Sequence, residues 1–376
     1  MAKSEAYHVR VRYDSRGMGS GGISGETTDV REGHQLDEAA LARYLSDHLP
    51  EFRGPLVVRQ FEGGQSNPTY HLHTPDRDYV LRKKPPGQLL PSAHQVDREY
   101  RVMTALRDSS VPVPPTCLLC TDDGVIGTPF FVMACIQGRV FRQPHLPGVP
   151  PADRRAMYND MVDVLARLHE VDFVAVGLGE YGKPGNYYAR QVARWGHQYV
   201  AAKTDEIAAM DRLIAWLPGH IPPGDETTIA HGDYRVENLI FHPSEPRVVA
   251  VVDWELSTLG HPLADLAYNC LTFHLPADAL GRTDATVADW TGIPTEAEYI
   301  ETYCRRTGRS GIPHWNFYLA FSMFRLASIL QGVYARGLQG NAASTYALQR
   351  GAAARHIAER AWAIAQLPFP GVEVGF

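Results

Sequence analysis

The sequence is poor in cysteine, in long apolar runs and in any excess of one charge, and each shortage removes a class of protein. Five cysteines among 376 residues, an odd number thinly spread, make no disulfide framework and favour a reducing cytosol. Cys117 and Cys120 form a CxxC with neither a second pair nor a suitable histidine partner. Two half-buried thiols in a strand-and-turn segment are expected there, not a zinc or redox centre. The strongest apolar run, Pro129 to Ile136 ("PFFVMACI"), suits a buried strand and is far too short to cross a bilayer, so no membrane partner is expected. The N-terminus carries no apolar signal-peptide core, which argues against secretion and for a cytoplasmic protein. A net charge of -6 gives no reason to expect nucleic acid as a partner.

What is present is an ordinary globular composition, 44% hydrophobic and 21% charged, at a length suited to about two domains or one domain of two lobes. Residues 1–35, rich in Gly, Ser and charge, can bury little and read as a mobile arm. "LDEAALARYLSDHL", Leu36 to Leu49, repeats its apolar residues at helical spacing. The texture then turns to β: "LVVRQFEGGQSNPTYHLHT" reads as a strand, a Gly-rich turn and a returning strand, and "DYVLRKK" as another strand. "SAHQVDREYRVMTALRD" reads as a helix and "TPFFVMACI" as a buried strand, left through a glycine in "QGRVF". From about Pro150 the pattern is helical, in "RRAMYNDMVDVLARLHEVD", "WNFYLAFSMFRLASILQGVYARG" and "TYALQRGAAARHIAERAWAIAQL", with two short strands, "NLIFH" and "RVVAVVDW", between. The expected organisation is a β-rich N-lobe over 36–133, a hinge over 134–138 and a helical C-lobe over 139–376.

One stretch concentrates polar groups beside strands: "HGDYRVENLIFHPSEPRVVAVVDWE", His231 to Glu255. Phosphoryl transfer from ATP needs metal ions bridging the phosphates, a base or positioner for the acceptor hydroxyl, and cations with backbone donors to offset phosphate charge. Magnesium takes oxygen ligands, which Asp and Asn supply, whereas His or Cys would suit zinc. Asp233 and Asn238 have the D-x-x-x-x-N spacing of a protein-kinase catalytic loop, with HGD where protein kinases have HRD. Asp253 ends a strand, where a second metal-binding carboxylate belongs. Taken singly, Asp233 could cap a turn and Asp253 could serve local hydrogen bonding. The order of Gly-rich hairpin, basic strand, acidic helix, hinge, D-x-x-x-x-N and strand-end Asp argues for chemistry.

"HGDYRVENLIF…VVAVVDWELSTLGHPLADLAYN" resembles the aminoglycoside phosphotransferase-like kinases, a kinase-fold family that includes choline and homoserine kinases. Within it the chain looks closest to the branch related to the kinase-like half of certain acyl-CoA dehydrogenase fusion proteins. The resemblance covers about residues 36–365. It implies an α+β, two-lobed protein-kinase-like fold, with a small antiparallel sheet and one main helix above a larger, mostly helical lobe. It implies ATP and Mg2+ as cofactors, Asp233 as catalytic base, and Asn238 and Asp253 as magnesium ligands. Asp265 in "HPLADLA" would brace the catalytic loop from a helix, and His231 would support that loop through hydrogen bonds.

The N-lobe motifs fit the same resemblance. "EGGQSNPTY", with Gly64, Gln65, Ser66 and Asn67, resembles the family's nucleotide loop, although neither GxGxxG nor a Walker A motif is present. Arg82 of "YVLRKK" stands where the phosphate-binding lysine of a kinase belongs, and a guanidinium can bind two oxygens at once. Lys83 would point to the other face of the strand. Glu99 matches the helix glutamate that pairs with that cation. "FFVMACIQG" matches the strand and hinge that receive adenine, with Met133 lining the pocket and backbone groups near Cys135 and Ile136 at the base's edge. "NYYARQVARWGHQY" flanks the acceptor cleft in the family, which brings in Tyr188 and Trp195 as substrate candidates; Trp254 and Glu255 are others. His71 and His73 share one strand face and read as paired surface histidines. The expected activity is ATP-dependent transfer of the γ-phosphoryl group to the hydroxyl of a small molecule, a hydroxyacyl-CoA or similar metabolite. An aminoglycoside is the alternative acceptor, and a kinase-like protein that binds nucleotide or ligand without turnover is the alternative class.

Overall fold

The structure, a computed structural model, describes residues 27–62, 67–85, 95–275, 290–338, 350–368 and 372–373. Residues 1–26 of the expected arm, and Gly64, Gln65 and Ser66 of the expected nucleotide loop, lie outside the described residues.

Alternating side chains build the first half. A six-stranded antiparallel sheet has the order β1-β2-β3-β4-β6-β5, from β1 (Thr27–Thr28), β2 (Val57–Phe61), β3 (Thr69–His73), β4 (Asp78–Lys83), β5 (Thr116–Cys120) and β6 (Phe130–Ala134). Successive side chains of a strand face opposite ways, so Tyr70, Leu72, Tyr79, Leu81, Phe130 and Val132 turn together to one side. There they pack against Leu41 and Leu45 of helix α1 (Glu38–His48). That helix starts where the Asp37 carboxylate accepts the Ala40 N–H at 2.8 Å. The opposite face carries Val80, Phe131 and Met133, which join helix α2 (Val96–Leu106) and the helical lobe in the larger core.

Residues 27–35 correct the expected arm. Thr27 and Thr28 pair with Phe61 and Gln60, Arg31 N–H donates to Gln60 Oε1 at 3.0 Å, and the His34 carbonyl accepts the Tyr70 hydroxyl at 2.6 Å. The Gly- and charge-rich composition hides an edge strand held by partners about 30 residues away in sequence.

The helical lobe contains α3 (Pro151–Glu170), α4 (Tyr187–Ala201), α5 (Ala208–Trp216), α6 (Pro262–Cys270), α7 (Glu296–Arg306), α8 (Trp315–Leu338) and α9 (Arg350–Ala365). Every residue of α8 from Trp315 to Ser328 is buried, polar ones included, so the first half of this helix is enclosed on all sides. It packs against α4, α6 and α9. Short two-stranded ribbons edge the lobe: β7 (Thr228–Ala230) with β10 (Thr258–Gly260), β8 (Leu239–Phe241) with β9 (Val248–Val251), and β11 (Gly311–Ile312) with β12 (Val372–Glu373). The chain passes from sheet to helices through Gly138, where an added Cβ would stand 2.3 Å from the Phe241 carbonyl oxygen. Arg139 and Phe241 exchange backbone hydrogen bonds at 2.7 and 2.9 Å, which pins this crossing to β8. No helix among the described residues is long and apolar enough to cross a membrane.

Candidate active site

The loop after β7 is shaped by what its backbone must accommodate. Gly232 has φ 83°, and a Cβ there would sit 2.5 Å from the Leu256 carbonyl oxygen. Both facts exclude the arginine that HRD would place at this position. The loop's N–H groups are gathered by Asp265 of α6, whose Oδ2 accepts His231 N–H at 2.6 Å and whose Oδ1 accepts Gly232 N–H at 2.8 Å. Burial alone would raise the Asp265 carboxyl, but hydrogen bonding and charge from His169, with His231 and Gly232 N–H beyond, hold it below the ordinary carboxylate range. His169 of α3 is itself fixed by the Tyr303 hydroxyl of α7 at 2.7 Å.

His231 is fully buried. Its Nδ1 accepts Asp233 N–H at 3.2 Å, so Nε2 carries the proton and donates to the Val252 carbonyl at 3.0 Å. Both ring nitrogens are thus spent on joining the loop to the end of β9. Asp233 projects from the far side of this brace. Asn238 Nδ2 donates to its backbone carbonyl at 2.8 Å and to its Oδ2 at 2.9 Å. Arg235 Nε lies 3.2 Å from the same Oδ2. Tyr268 of α6 stands near the Asp233 carboxylate, and burial together with that negative charge pushes the Tyr268 phenol up.

Asp253 occupies the left-handed region at φ 67° and ψ 57°, rare for a non-glycine residue and typical of strain retained at functional sites. Its Oδ1 accepts Arg82 Nη2 at 2.9 Å, while Arg82 Nη1 donates to Glu99 Oε1 at 2.8 Å. One guanidinium from β4 therefore bridges α2 and the β9 strand end. Burial would lower Arg82, but the facing carboxylates of Glu99, Asp253 and Glu255 hold it above its ordinary range. Burial pushes the Glu99 carboxyl up to about 7 against the pull of Arg82. Asp253 is depressed: its burial is outweighed by Arg82. Lys83 turns the other way, its Nζ 3.4 Å from the His34 and Gln35 carbonyls and over the Tyr70 ring.

These residues fit magnesium. Asp253 offers a carboxylate, and Asn238, with its Nδ2 spent on Asp233, has its oxygen end left for a cation; both are hard donors. Among the described residues no group of three or more His, Cys, Asp or Glu could hold a metal by itself. Two protein oxygens suit an ion that arrives with phosphates and water.

Other expected residues fall in different places. Asn67 is buried, and its Nδ2 donates to Glu255 Oε2 at 3.0 Å, so Glu255 meets the end of the nucleotide loop and not the acceptor side. Trp254 is fully buried, donates Nε1 to the Val251 carbonyl at 2.9 Å and packs on the His231 ring; it is core, not a substrate contact. Tyr188 is likewise core, ringed by His261, Phe317, Tyr318 and Phe321. Trp195 is half-buried, with the Arg325 guanidinium 5.6 Å from its ring centre. Met133 lies on the cleft face beside Val80. The Cys135 N–H is committed to the Asp78 carbonyl at 3.2 Å and is no donor for a base; Ile136, half-buried, follows it at the hinge.

Four residues of the site escape sequence reasoning. Arg235 is signalled by a basic residue two positions after Asp233, and Tyr268 by helical spacing of three from Asp265. Arg325, which donates to the Gly232 carbonyl at 2.6 Å, is signalled by a lone charge inside the apolar run "LAFSMFRLASIL". His169 carries no local signal.

Residues 57–315 match the model of the phosphotransferase enzyme family. The chain is 49% identical over 340 residues to mouse acyl-CoA dehydrogenase family member 10, covering 89% of this chain and 32% of the relative. It is 45% identical over 331 residues to human acyl-CoA dehydrogenase family member 11, covering 86% and 42%. The chain thus spans about a third to two-fifths of the length of these relatives. A crystal structure from Ralstonia eutropha JMP134, provisionally named an aminoglycoside phosphotransferase, superposes with a TM-score of 0.80 at 49% identity, over 88% of this chain and 99% of that one. A thermostable aminoglycoside phosphotransferase mutant, solved with ADP and hygromycin B, shares the fold at a TM-score of 0.58 and 14% identity, over 88% and 100%. The chain belongs to the phosphotransferase enzyme family, has its two-lobed kinase-like fold, and is homologous to part of acyl-CoA dehydrogenase family members 10 and 11.

Proposed function

We propose that the protein is an ATP-dependent kinase that transfers the γ-phosphoryl group to the hydroxyl of a small molecule. The observation that carries this reading is the Asp233 carboxylate, held by Asn238 and Arg235 on a loop that His231 ties to the β9 end bearing Asp253. Asp233, so oriented, takes the acceptor's hydroxyl proton. Arg82 and Arg235 offer cations to the phosphates from the two sides of the cleft. Asn238 and Asp253 would hold magnesium, which supplies neutralisation of charge between the β- and γ-phosphates. Asp265 and His231 keep the loop in register.

The acceptor side is cationic and aromatic. Arg194 lies 5.4 Å from the Trp195 ring centre, Arg325 lies 5.6 Å from it and 5.2 Å from that of Tyr268, and the Asp233 charge acts on Tyr268. Such a row favours an acceptor bearing negative charge, such as a hydroxyacyl-CoA, and repels a polycationic aminoglycoside. The relatives named as acyl-CoA dehydrogenase family members support the same reading. The test is mass spectrometry of a cell extract incubated with the protein and γ-labelled ATP. The label is expected on an anionic hydroxylated metabolite. Label that stays on the nucleotide would instead support a binding protein without turnover.

A further inference from the structure

Two buried polar side chains take no part in the proton and phosphate steps. His71 is 3% exposed, so it and His73 are not two surface histidines, and Phe61 and His73 close off its ring. Arg325 is different. It lies 8% exposed inside the apolar run "LAFSMFRLASIL" of α8, and its contacts among the described residues are one carbonyl and two rings, with no carboxylate. Arg82, buried to a similar degree, has Glu99 at 2.8 Å and Asp253 at 2.9 Å. A guanidinium does not shed its proton, so α8 carries an unpaired charge at a cost that a leucine would avoid.

Part of the group is spent. Nη2 donates to the Gly232 carbonyl at 2.6 Å, and the cation lies beside the rings of Trp195 and Tyr268. A ring face attracts the cation without taking any of its N–H donors. Nε and Nη1 have no hydrogen-bond partner among the described residues, yet neither is sealed in. The buried atoms left without a partner include Nε of Arg82, Arg235 and Arg309 but no atom of Arg325. Its N–H edge therefore opens on a recess, and the walls locate that recess. Gly232 immediately precedes Asp233, Trp195 and Tyr268 are both half-buried, and the Asp233 charge acts on Tyr268. Joined through the Gly232 carbonyl, Arg325 Nη2 and the Asp233 carboxylate are at most roughly 10 Å apart.

We propose that Arg325 is a specificity-determining residue, whose free N–H edge binds an acyl oxygen of the acceptor beside the hydroxyl that Asp233 addresses. The inference rests on the kinase reading above and sharpens it: the recognised oxygen lies a few bonds from the reacting hydroxyl, not on a distant phosphate of a carrier. A carboxylate and a thioester carbonyl both present such an oxygen, and a diol does not. Trp195 and Tyr268 act as positioning residues for the guanidinium.

The test measures transfer from γ-labelled ATP to hydroxypentanoates, their CoA thioesters and the matching pentanediols, for the parent, Arg325→Gln and Arg325→Lys. ADP affinity, measured alongside, reports that each variant is folded. The readout is the ratio of kcat/KM for an acyl acceptor to that for its diol. The parent is expected to favour the acyl acceptor. Arg325→Gln, which can still donate to the Gly232 carbonyl, is expected to lose roughly 10- to 100-fold of the ratio, through KM, as befits a lost hydrogen bond to a charged group. Arg325→Lys, which keeps the charge without the fork, is expected to lose less, and its ratio decides the question if the glutamine variant does not bind ADP. The better of acid and thioester tells a carboxylate from a carbonyl. An unchanged ratio overturns the inference, as does an equal fall for acyl acceptor and diol, which makes the role structural. A parent that labels none of these compounds but does label metabolites of a cell extract overturns the acyl assignment and leaves the kinase reading standing. Label that stays on ATP in both removes the kinase reading itself.

Discussion

Gly232, at φ 83° against the Leu256 carbonyl, has no room for a side chain. Gly232→Ala is expected to cost about 1–3 kcal/mol, read as a lower melting temperature, and an unchanged melting temperature would contradict the geometry. Arg82 uses two nitrogens on two carboxylates 171 and 17 residues away in sequence. A lysine cannot reproduce that fork. Arg82→Lys is expected to lower kcat/KM roughly 10- to 100-fold, the worth of a lost hydrogen bond between charged groups; equal turnover would show that the bridge is dispensable. At this scale Asp233, Asn238, Asp253 and Asp265 are legible from the sequence, because their spacing is local to a loop and the elements flanking it. Tyr268, Arg325 and His169 are not, since their partners arrive from elements decades of residues away. Trp254 and Tyr188 mislead for a physical reason: large aromatics next to polar site residues are also what wedges those residues into place.

Helix α6 shows how one element carries the site. His261 caps it, with Nδ1 accepting Leu263 N–H at 3.2 Å, and the helix then presents Asp265 and Tyr268 to the loop. Burial pulls His261 down from 6.5 to about 4, against the opposing pull of Glu226. The folded state therefore binds this proton more weakly than the unfolded chain. Its contribution to stability is complete above about pH 6.5 and is lost as pH falls towards 4, by at most roughly 3 kcal/mol. His261→Asn supplies a cap that does not titrate, so its stability is expected to vary less with pH across that window. An identical slope in parent and variant would contradict the assignment. Among the elements, α1, α3 and α8 are legible because they repeat their apolar positions over several turns. The three-residue strands β7 and β10 are too short to show a period. Helix α7 passes unread although Thr295 and Glu298 form a capping box, a signal present in the sequence.

Across the whole molecule, Arg82–Asp253 and Asn67–Glu255 are two of the polar links that join the sheet half to the helical half, beside their shared apolar core. The first link engages Arg82 and Asp253, the groups proposed to meet phosphate and cation, so on that proposal loading the site exchanges it for ligand contacts. The order of motifs along the chain makes the two-lobed architecture legible, since each lobe is continuous in sequence. The lobes' mutual fit is not legible, because it depends on groups 171 and 188 residues apart. In the proposed kinase, Asp233 handles the acceptor's proton while other groups hold the nucleotide. This division of labour is tested most directly by single-turnover transfer from γ-labelled ATP to the identified acceptor, with ADP affinity measured in parallel, for the parent and Asp233→Ala. In Asp233→Ala the transfer rate is expected to fall about 10²–10⁴-fold with ADP affinity unchanged. Transfer by Asp233→Ala as fast as by the parent would contradict it.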